Sequence, residues 1–322
     1  DNDEKILPIE EMLAYEEFTD RVEILRELDS WVKNIQRMVS PSTAIIAPRR
    51  MGKTVLLDRL VNTVFFKSEY RVAPFYFRMK REDVTLRDFL MEYASTFFRQ
   101  YIAYCHQDPI LYKNQRVSLK NLLDYPSQHK AVVWAKEFIE DFFKVYEAPG
   151  YYSARNHWDN FICTPEQLGS YSGIRVAVII DEFQDMSFYV HDVKKPSLKR
   201  IVKERLSDPE LPGVNLTSTY DRMSQSRKAP MLVSGSSVTL IFRTVMGGPL
   251  GGRFDFRYLR PLAIPDGAAL LQILLPLYTR NPEITSENAL YASIQTGGHP
   301  YYLYCLAMSQ CENKDFTSKE AI

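Results

Sequence analysis

Short runs with no polar face alternate along this chain with longer stretches in which apolar residues recur every three or four positions. Thr43-Ala-Ile-Ile46, Val176-Ala-Val-Ile-Ile180 and Pro230-Met-Leu-Val-Ser234 are runs of the first kind, and a continuous apolar run of that length is the mark of a strand buried on both sides. Arg71-Val-Ala-Pro-Phe-Tyr-Phe77 reads as a further strand, and Arg257-Tyr-Leu259, ahead of Pro261, as the last. Between the strands lie helical patterns. Val22, Leu25, Leu28, Val32, Ile35 and Val39 share one face, with Asp20-Arg-Val-Glu23 as the start signal. A helix is predicted from Lys53 to about Phe66. Thr85-Leu-Arg-Asp88 caps a long amphipathic helix that reaches about Cys105. Another runs from about Ala131 to Tyr146, with Trp134, Phe138, Phe142 and Val145 on one face. Thr164-Pro-Glu-Gln167 opens a short helix with Pro165 at its first position, and a further helix is predicted near 216–226. Residues 106–130 are polar and predict no regular element, and from about Ile264 onward the pattern is all helical. Strands alternating with helices predict an α/β fold: a parallel sheet flanked by helices on both faces, plus a C-terminal helical subdomain.

Composition narrows this picture without changing it. The chain has 322 residues, of which 45 % are hydrophobic, enough for large cores and roughly two domains of ordinary size. Forty basic residues balance forty acidic ones, so no global charge demands nucleic acid or a membrane surface. The four cysteines, Cys105, Cys163, Cys305 and Cys311, form no C-x-x-C pair and read as free, buried thiols of a reducing cytoplasm. No signal peptide and no membrane-spanning apolar stretch is evident. The chain begins at Asp1, and Thr317-Ser-Lys-Glu320 resembles the opening of a helix two residues before the sequence stops at Ile322; both features predict a trimmed chain whose natural sequence continues.

Candidate chemistry sits at the tips of the strands. Ala47-Pro-Arg-Arg-Met-Gly-Lys-Thr54 follows the first buried strand and matches the phosphate-binding loop G-x-x-x-x-G-K-[ST], with Ala47 in place of the first glycine. Strand, tight loop and helix N-terminus together present backbone N–H groups to a polyphosphate. The candidate nucleotide-binding residues are therefore Pro48, Arg49, Arg50, Met51, Gly52, Lys53, Thr54 and Val55. Lys53 supplies the cation for the β- and γ-phosphates, and Thr54 a hydroxyl for Mg²⁺. The second buried strand runs straight into Asp181-Glu182. Asp181 is the candidate partner of Mg²⁺ and Glu182 the candidate general base for the attacking water. Ser234-Gly-Ser-Ser237 ends the third buried strand; it is either a plain turn or a source of a polar side chain for the γ-phosphate or the water, with Ser236 the candidate. Arg253, after a glycine-rich segment, is either a surface arginine or one that reaches a phosphate in a neighbouring subunit. The distance along the chain from Lys53 to Asp181 is long for a compact nucleotide domain, which predicts a core over 1–263 carrying a helical insertion at about 85–170, and a truncated helical lid over 264–322.

At these residues the chain resembles the archaeal-type P-loop ATPases of the STAND branch, in the ASCE and AAA+ class. Phe18-Thr-Asp-Arg21 is similar to the entry motif F-x-G/D-R of that group, and Ile179-Ile-Asp-Glu-Phe183 to its acidic strand. Gly235-Ser236-Ser237 is similar to its sensor strand, Pro249-Leu-Gly-Gly-Arg253 to its P-L-x-G-R segment, and Gly297-Gly-His-Pro300 to the G-G-x-P motif of its helical subdomain. The resemblance implies a site for ATP and Mg²⁺, an extra sheet strand between the phosphate loop and the acidic strand, and Pro300 against the adenine. It also implies an effector or winged-helix domain beyond Ile322.

Three functions compete on this evidence. The first is an ATP-hydrolysing, nucleotide-dependent switch in which the lid closes on the core; a homo-oligomer is a candidate assembly. The second is a DNA-associated motor or loader, for which the basic run Lys194 to Arg205 is the support and the neutral net charge the objection. The third is an adaptor that binds ATP or ADP without turnover, against which Glu182 speaks.

Overall fold

The computed structural model describes Leu7 and residues 21–147, 154–191, 219–236, 250–278 and 284–309. The central sheet has five strands: β1 (Thr43–Ile46), β2 (Val72–Arg78), β4 (Arg175–Asp181), β6 (Met231–Gly235) and β7 (Asp255–Tyr258). Their order is β2-β4-β6-β1-β7, and every neighbouring pair is parallel. Two short strands, β3 (Val84–Thr85) and β5 (Val190–His191), pair separately. The three central strands, β1, β4 and β6, are the continuous apolar runs of the sequence and are buried along almost their whole length. β6 inserts between β1 and β4, so the strand leading to the phosphate loop and the strand leading to Asp181 are not direct neighbours.

The edge strand β2 carries Pro74, which has no N–H to donate and is tolerated there for that reason. Tyr76 lies two residues on and turns its backbone to the same outward side. Gln100 covers that edge: Tyr76 N–H donates to Gln100 Oε1 at 2.7 Å and Gln100 Nε2 donates to Tyr76 O at 2.9 Å. Gln100 lies on α3 (Leu86–His106), whose first turn is held by Thr85, as its side chain accepts from Asp88 N–H at 3.1 Å. The buried face of α3 is largely aromatic. Tyr93 stands with ring centroids 5.0 Å from Phe75, 4.9 Å from Phe77 and 5.2 Å from Trp158, so one helix ties the sheet edge to the helices that follow. These are α4 (Pro109–Lys113), α5 (Lys130–Tyr146), α6 (Ala154–Phe161) and α7 (Thr164–Ser172).

The helices α1 (Val22–Gln36) and α2 (Lys53–Phe66) pack against each other and the strands. The helices Ile264–Tyr278, Ser286–Gln295 and Pro300–Ser309 enclose a second cluster built on Leu262, Leu271, Leu275, Ala292, Leu303 and Ala307.

Several expectations need correction. The N-cap of α1 is Arg21 in a left-handed conformation, with no side-chain capping bond, and not Asp20, which lies outside the described residues. Val22 and Val39 are exposed, and Trp31 joins the buried face in their place. The 106–130 segment is not without structure, since it holds α4, started by Asp108. The buried stripe of α5 is Ala131, Val132, Ala135, Ile139 and Phe142, the face set by the helices α3, α6 and α7 that pack on it; Trp134 and Phe138 lie at its margin. The last sheet strand is Asp255–Tyr258, starting two residues and ending one residue before the 257–259 reading. Cys105, Cys163 and Cys305 are free thiols, but Cys305 is exposed rather than buried.

The link between the sheet and the C-terminal helices tests this packing. Leu262 N–H donates to Gly298 O at 2.9 Å, and a Cβ on Gly298 (φ +66°) would lie 2.2 Å from Leu262 O. Gly297 has a similar φ of +60° but open space around it. We expect Gly297→Ala to cost about 1–2 kcal/mol from the backbone alone, and Gly298→Ala a further ~1–3 kcal/mol from overlap. Urea unfolding midpoints of the two variants check this; equal midpoints would show that the approach of Leu262 is not a fixed constraint.

Candidate nucleotide site

The C-terminal ends of β1, β4 and β6 converge on one spot, where ligands of parallel α/β sheets are bound. β1 hands over to the loop 47–52, which is shaped by two left-handed residues, Arg50 at φ 64° and Gly52 at φ 82°. Gly52 forms the N-cap of α2, so the first turn of α2 points its unpaired N–H groups into the loop. Pro48, Arg49 and Arg50 are exposed, Met51 is buried, and Thr54 and Val55 are half-buried on the first turn. Lys53 is buried, and its Nζ donates to Ala47 O at 2.9 Å and Pro48 O at 2.7 Å. The cation thus already lies across the loop it would share with a phosphate. Burial lowers its pKa; the carboxylates of Glu182 and Asp181 act in the opposite sense, and Arg49 adds to the lowering.

Asp181, at the tip of β4, is fully buried. Its Oδ2 accepts from Thr54 Oγ1 at 2.8 Å, and its Oδ1 accepts from Ser234 Oγ and from Glu182 N–H, the latter at 3.0 Å. Arg78 Nε, at the tip of β2, stands 3.9 Å from Oδ2. The loop helix, β4 and β6 are therefore joined through one carboxylate.

Glu182 leaves the strand in a left-handed conformation, φ 56° and ψ 39°, a position that costs a side-chain-bearing residue of order 1–3 kcal/mol and tends to mark functional sites. This turn brings its Oε2 to Ser236, which donates from N at 3.1 Å and Oγ at 2.8 Å, and to Gln184 Nε2 at 2.6 Å. Arg81 Nη2 lies 3.6 Å away. Burial raises the Glu182 pKa, but the bonds from Ser236 and Gln184 and the charge of Arg81 outweigh it, so the net shift is downward. Arg81 also pairs with Asp185 at 2.8 Å and donates to Ser236 Oγ at 3.1 Å. For Asp185 burial prevails, and its pKa is raised despite Arg81.

The structure thus brings Lys53, Thr54, Asp181, Glu182 and Ser236 together. It does not bring Arg253 to them: Arg253 Nε pairs with Asp221 at 3.1 Å, and among the described residues it bonds neither to the loop nor to Glu182. Pro300 opens the helix Pro300–Ser309, and its neighbour Tyr301 has its ring 3.8 Å from the Arg50 guanidinium. Phe18-Thr-Asp20, Ser237, Pro249, the basic run 194–205, Cys311 and the segment 317–320 lie outside the described residues. Arg81, Gln184, Asp185 and Ser234 were not singled out by sequence reasoning as partners of the acidic pair. A signal existed for Arg81, since Arg78, Lys80 and Arg81 crowd the C-terminal tip of an edge strand.

The oxygen donors suit magnesium. A hydroxyl and a carboxylate stand side by side, and among the described residues no group of three His, Cys, Asp or Glu forms a self-contained metal cage. Mg²⁺ typically takes one or two protein oxygens and completes its shell with water and substrate phosphates.

The bonds on Glu182 predict a titration. Its folded pKa is lowered, so its contribution to stability is complete above the ordinary glutamate range and is lost as pH falls through the folded pKa. Ser236→Ala removes one donor and leaves the burial, so the Glu182 pKa should rise and that loss should begin at higher pH. ¹³C NMR titration of labelled glutamate side chains reads the shift; superimposable curves for the variant and the parent chain would detach Ser236 from Glu182.

No protein-family model matches the chain, and no curated protein matches it. Among solved structures, the fold is similar to that of the Walker-type ATPase PABY2304 of Pyrococcus abyssi, with a TM-score of 0.51 and 16 % identity, over 96 % of this chain and 72 % of that one. At this level of identity the likeness concerns the fold, and together with the strand order it gives an α/β fold of the P-loop NTPase type, a parallel sheet flanked by helices.

Proposed function

We propose that the chain binds ATP with Mg²⁺ on the loop Pro48–Val55, hydrolyses it, and acts as a nucleotide-dependent switch of the archaeal-type, STAND-branch kind. The observation that carries this reading is the 2.8 Å bond from Thr54 Oγ1 to Asp181 Oδ2. It joins two residues far apart in sequence at the one place where a phosphate-bound magnesium needs both. Lys53 and the N–H groups of α2 would bind the β- and γ-phosphates, and Thr54 and Asp181 would hold magnesium, which supplies charge neutralisation when bound. Glu182, ionised at neutral pH, would take the proton of the attacking water, and Ser236 would hold Glu182 or the water in line.

The switch reading treats residues 1–263 as the core, with the helices of about 85–170 as an insertion, and 264–322 as the lid. Support comes from the bridge between them. Arg50 of the loop stacks on Tyr301 of the lid, with the guanidinium 3.8 Å from the ring centre. Phosphates on the loop compete with Tyr301 for Arg50. Nucleotide therefore has a differential affinity for lid positions, which is what a switch requires. Pro300, beside Tyr301, would meet the base. The comparison with a Walker-type ATPase supports the general reading of an ATPase.

Lys53→Ala should weaken ATP binding severely, because it removes the buried cation of the loop. Glu182→Gln should retain binding and stop hydrolysis, because the amide keeps the shape but accepts no proton. Nucleotide titration and steady-state phosphate release measure the two; turnover by Glu182→Gln equal to that of the parent chain would remove Glu182 from the base role.

Arg253 is proposed to act across a subunit boundary, since in cis it is engaged by Asp221. An arginine supplied in trans is worth on the order of 10³ in rate in related phosphoryl transfer. Mixing Arg253→Ala with Lys53→Ala chains should then restore part of the activity that each lacks alone. Absence of restoration, with monomers throughout in ultracentrifugation, would place Arg253 outside catalysis.

A further inference from the structure

The open space that starts at the phosphate loop does not end at Glu182. A cleft of about 1040 Å³ runs from Arg50, Thr54, Glu182 and Ser236 past the tip of β2 to the polar face of α3 and the segment 115–118. Its far wall holds Arg99, a residue only 5 % exposed. Arg99 donates from Nε to Tyr112 O at 3.3 Å, and among the described residues no carboxylate lies within ion-pair distance of it. Glu92, the nearest acid to act on it electrostatically, is bound to Lys80 at 2.6 Å. The hydroxyl of Tyr76, also on the wall, is buried and has no hydrogen-bond partner. A buried guanidinium without a counter-charge and a buried hydroxyl without a partner are each costly. The cost at Arg99 is removed by an oxyanion, which accepts charge-assisted N–H bonds from an arginine. Arg49, Arg78, Lys80 and Arg81 line the rest of the cleft and draw the same kind of molecule inward.

We propose that this cleft is a second ligand site, beyond the phosphate loop, for a small molecule bearing a phosphate or carboxylate group, with Arg99 receiving the oxyanion. Its volume is that of a small-molecule site, which typically spans roughly 300–1,000 Å³. The proposal goes beyond nucleotide hydrolysis and does not depend on it, because the anion is read by α3 and β2 and not by α2.

Calorimetric titration of inorganic phosphate, and separately of succinate, into the chain at low ionic strength tests this. At least one of the two should bind at millimolar or lower concentration. Affinity should fall at least about tenfold in Arg99→Gln, the loss expected for one charged hydrogen bond or more. Thr96→Phe, a half-buried cleft-wall residue replaced by a bulkier one, should block binding without touching Arg99 and decides the matter if Arg99→Gln does not fold. Lys53→Ala should leave the anion affinity within about twofold, because one tenfold step in affinity needs a change larger than a distant charge supplies. Binding of phosphate alone assigns a phosphate-bearing ligand, and binding of succinate alone a carboxylate-bearing one. Failure of both to bind, or binding that survives both cleft variants, or binding abolished by Lys53→Ala, overturns the proposal.

Discussion

The carboxylate of Asp181 is the constraint on which the centre of this molecule depends. It is fully buried, and a buried carboxylate is tolerated only when hydrogen bonds replace the water it has lost. The donors come from three separate places: Thr54 on the helix after β1, Ser234 on β6, and the backbone of Glu182 beyond β4. Satisfying one side chain therefore fixes the relative positions of three neighbouring strand ends. The strand order follows the same logic. With β6 between β1 and β4, the serine of β6 faces the aspartate from one side while the threonine reaches it from the other. Removal of either partner leaves a buried charge under-bonded, which costs more than the lost contact itself.

Glu182 is positioned by different means. Its left-handed backbone turns the chain away from the strand direction immediately after Asp181, so two consecutive acids point to different neighbours. Asp181 faces the loop helix; Glu182 faces Ser236, Gln184 and Arg81. The cost of that conformation, of order 1–3 kcal/mol, is offset by the charge-assisted bonds its carboxylate gains, which are stronger than neutral ones. Burial raises the pKa of both Glu182 and Asp185; at Glu182 the bonds from Ser236 and Gln184 and the charge of Arg81 outweigh it, and at Asp185 burial prevails over Arg81 and Gln184. Two carboxylates that share Arg81 and Gln184 are thus driven apart in protonation, because donors prevail at the one and burial at the other.

Much of this was legible in the sequence, and the reason is local. The strands β1, β4 and β6 announce themselves as unbroken apolar runs because they are buried on both faces. The limits of α2 follow from the Gly52–Lys53 start, and those of α3 from the Thr85–Asp88 cap, since both signals act within one turn. Lys53, Thr54, Asp181 and Glu182 were readable because loop and strand motifs place them beside their own elements. What was not readable depends on residues far apart in the chain. The face of α5 is chosen by what packs on it, so Trp134 and Phe138, apolar in sequence, sit at the margin. α6 has few apolar residues, yet Trp158 anchors it in the aromatic cluster around Tyr93. Arg81 and Asp185 are 104 positions apart, and nothing in either local sequence couples them.

The helices that follow β2 change what the strand edge can do. An edge strand of a parallel sheet ordinarily presents unpaired backbone to solvent or to another chain. Here α3 and α4 reduce that hazard, since Gln100 pairs with both backbone groups of Tyr76 and Tyr112 donates its hydroxyl to Pro74 O. Covering the edge in this way places the preceding residues of α3, Glu92 to Arg99, by the tip of β2, where the strand ends in Arg78 and continues through Lys80 and Arg81. A helix that was needed to close a sheet edge therefore also forms the far wall of a cleft whose near wall is the acidic pair. Arg81 belongs to both walls, bound to Asp185 and Ser236 while lining the cleft. An anion that reached Arg81 as well as Arg99 would compete with these partners for its guanidinium, which would couple the occupancy of the cleft to the bonds that hold Glu182.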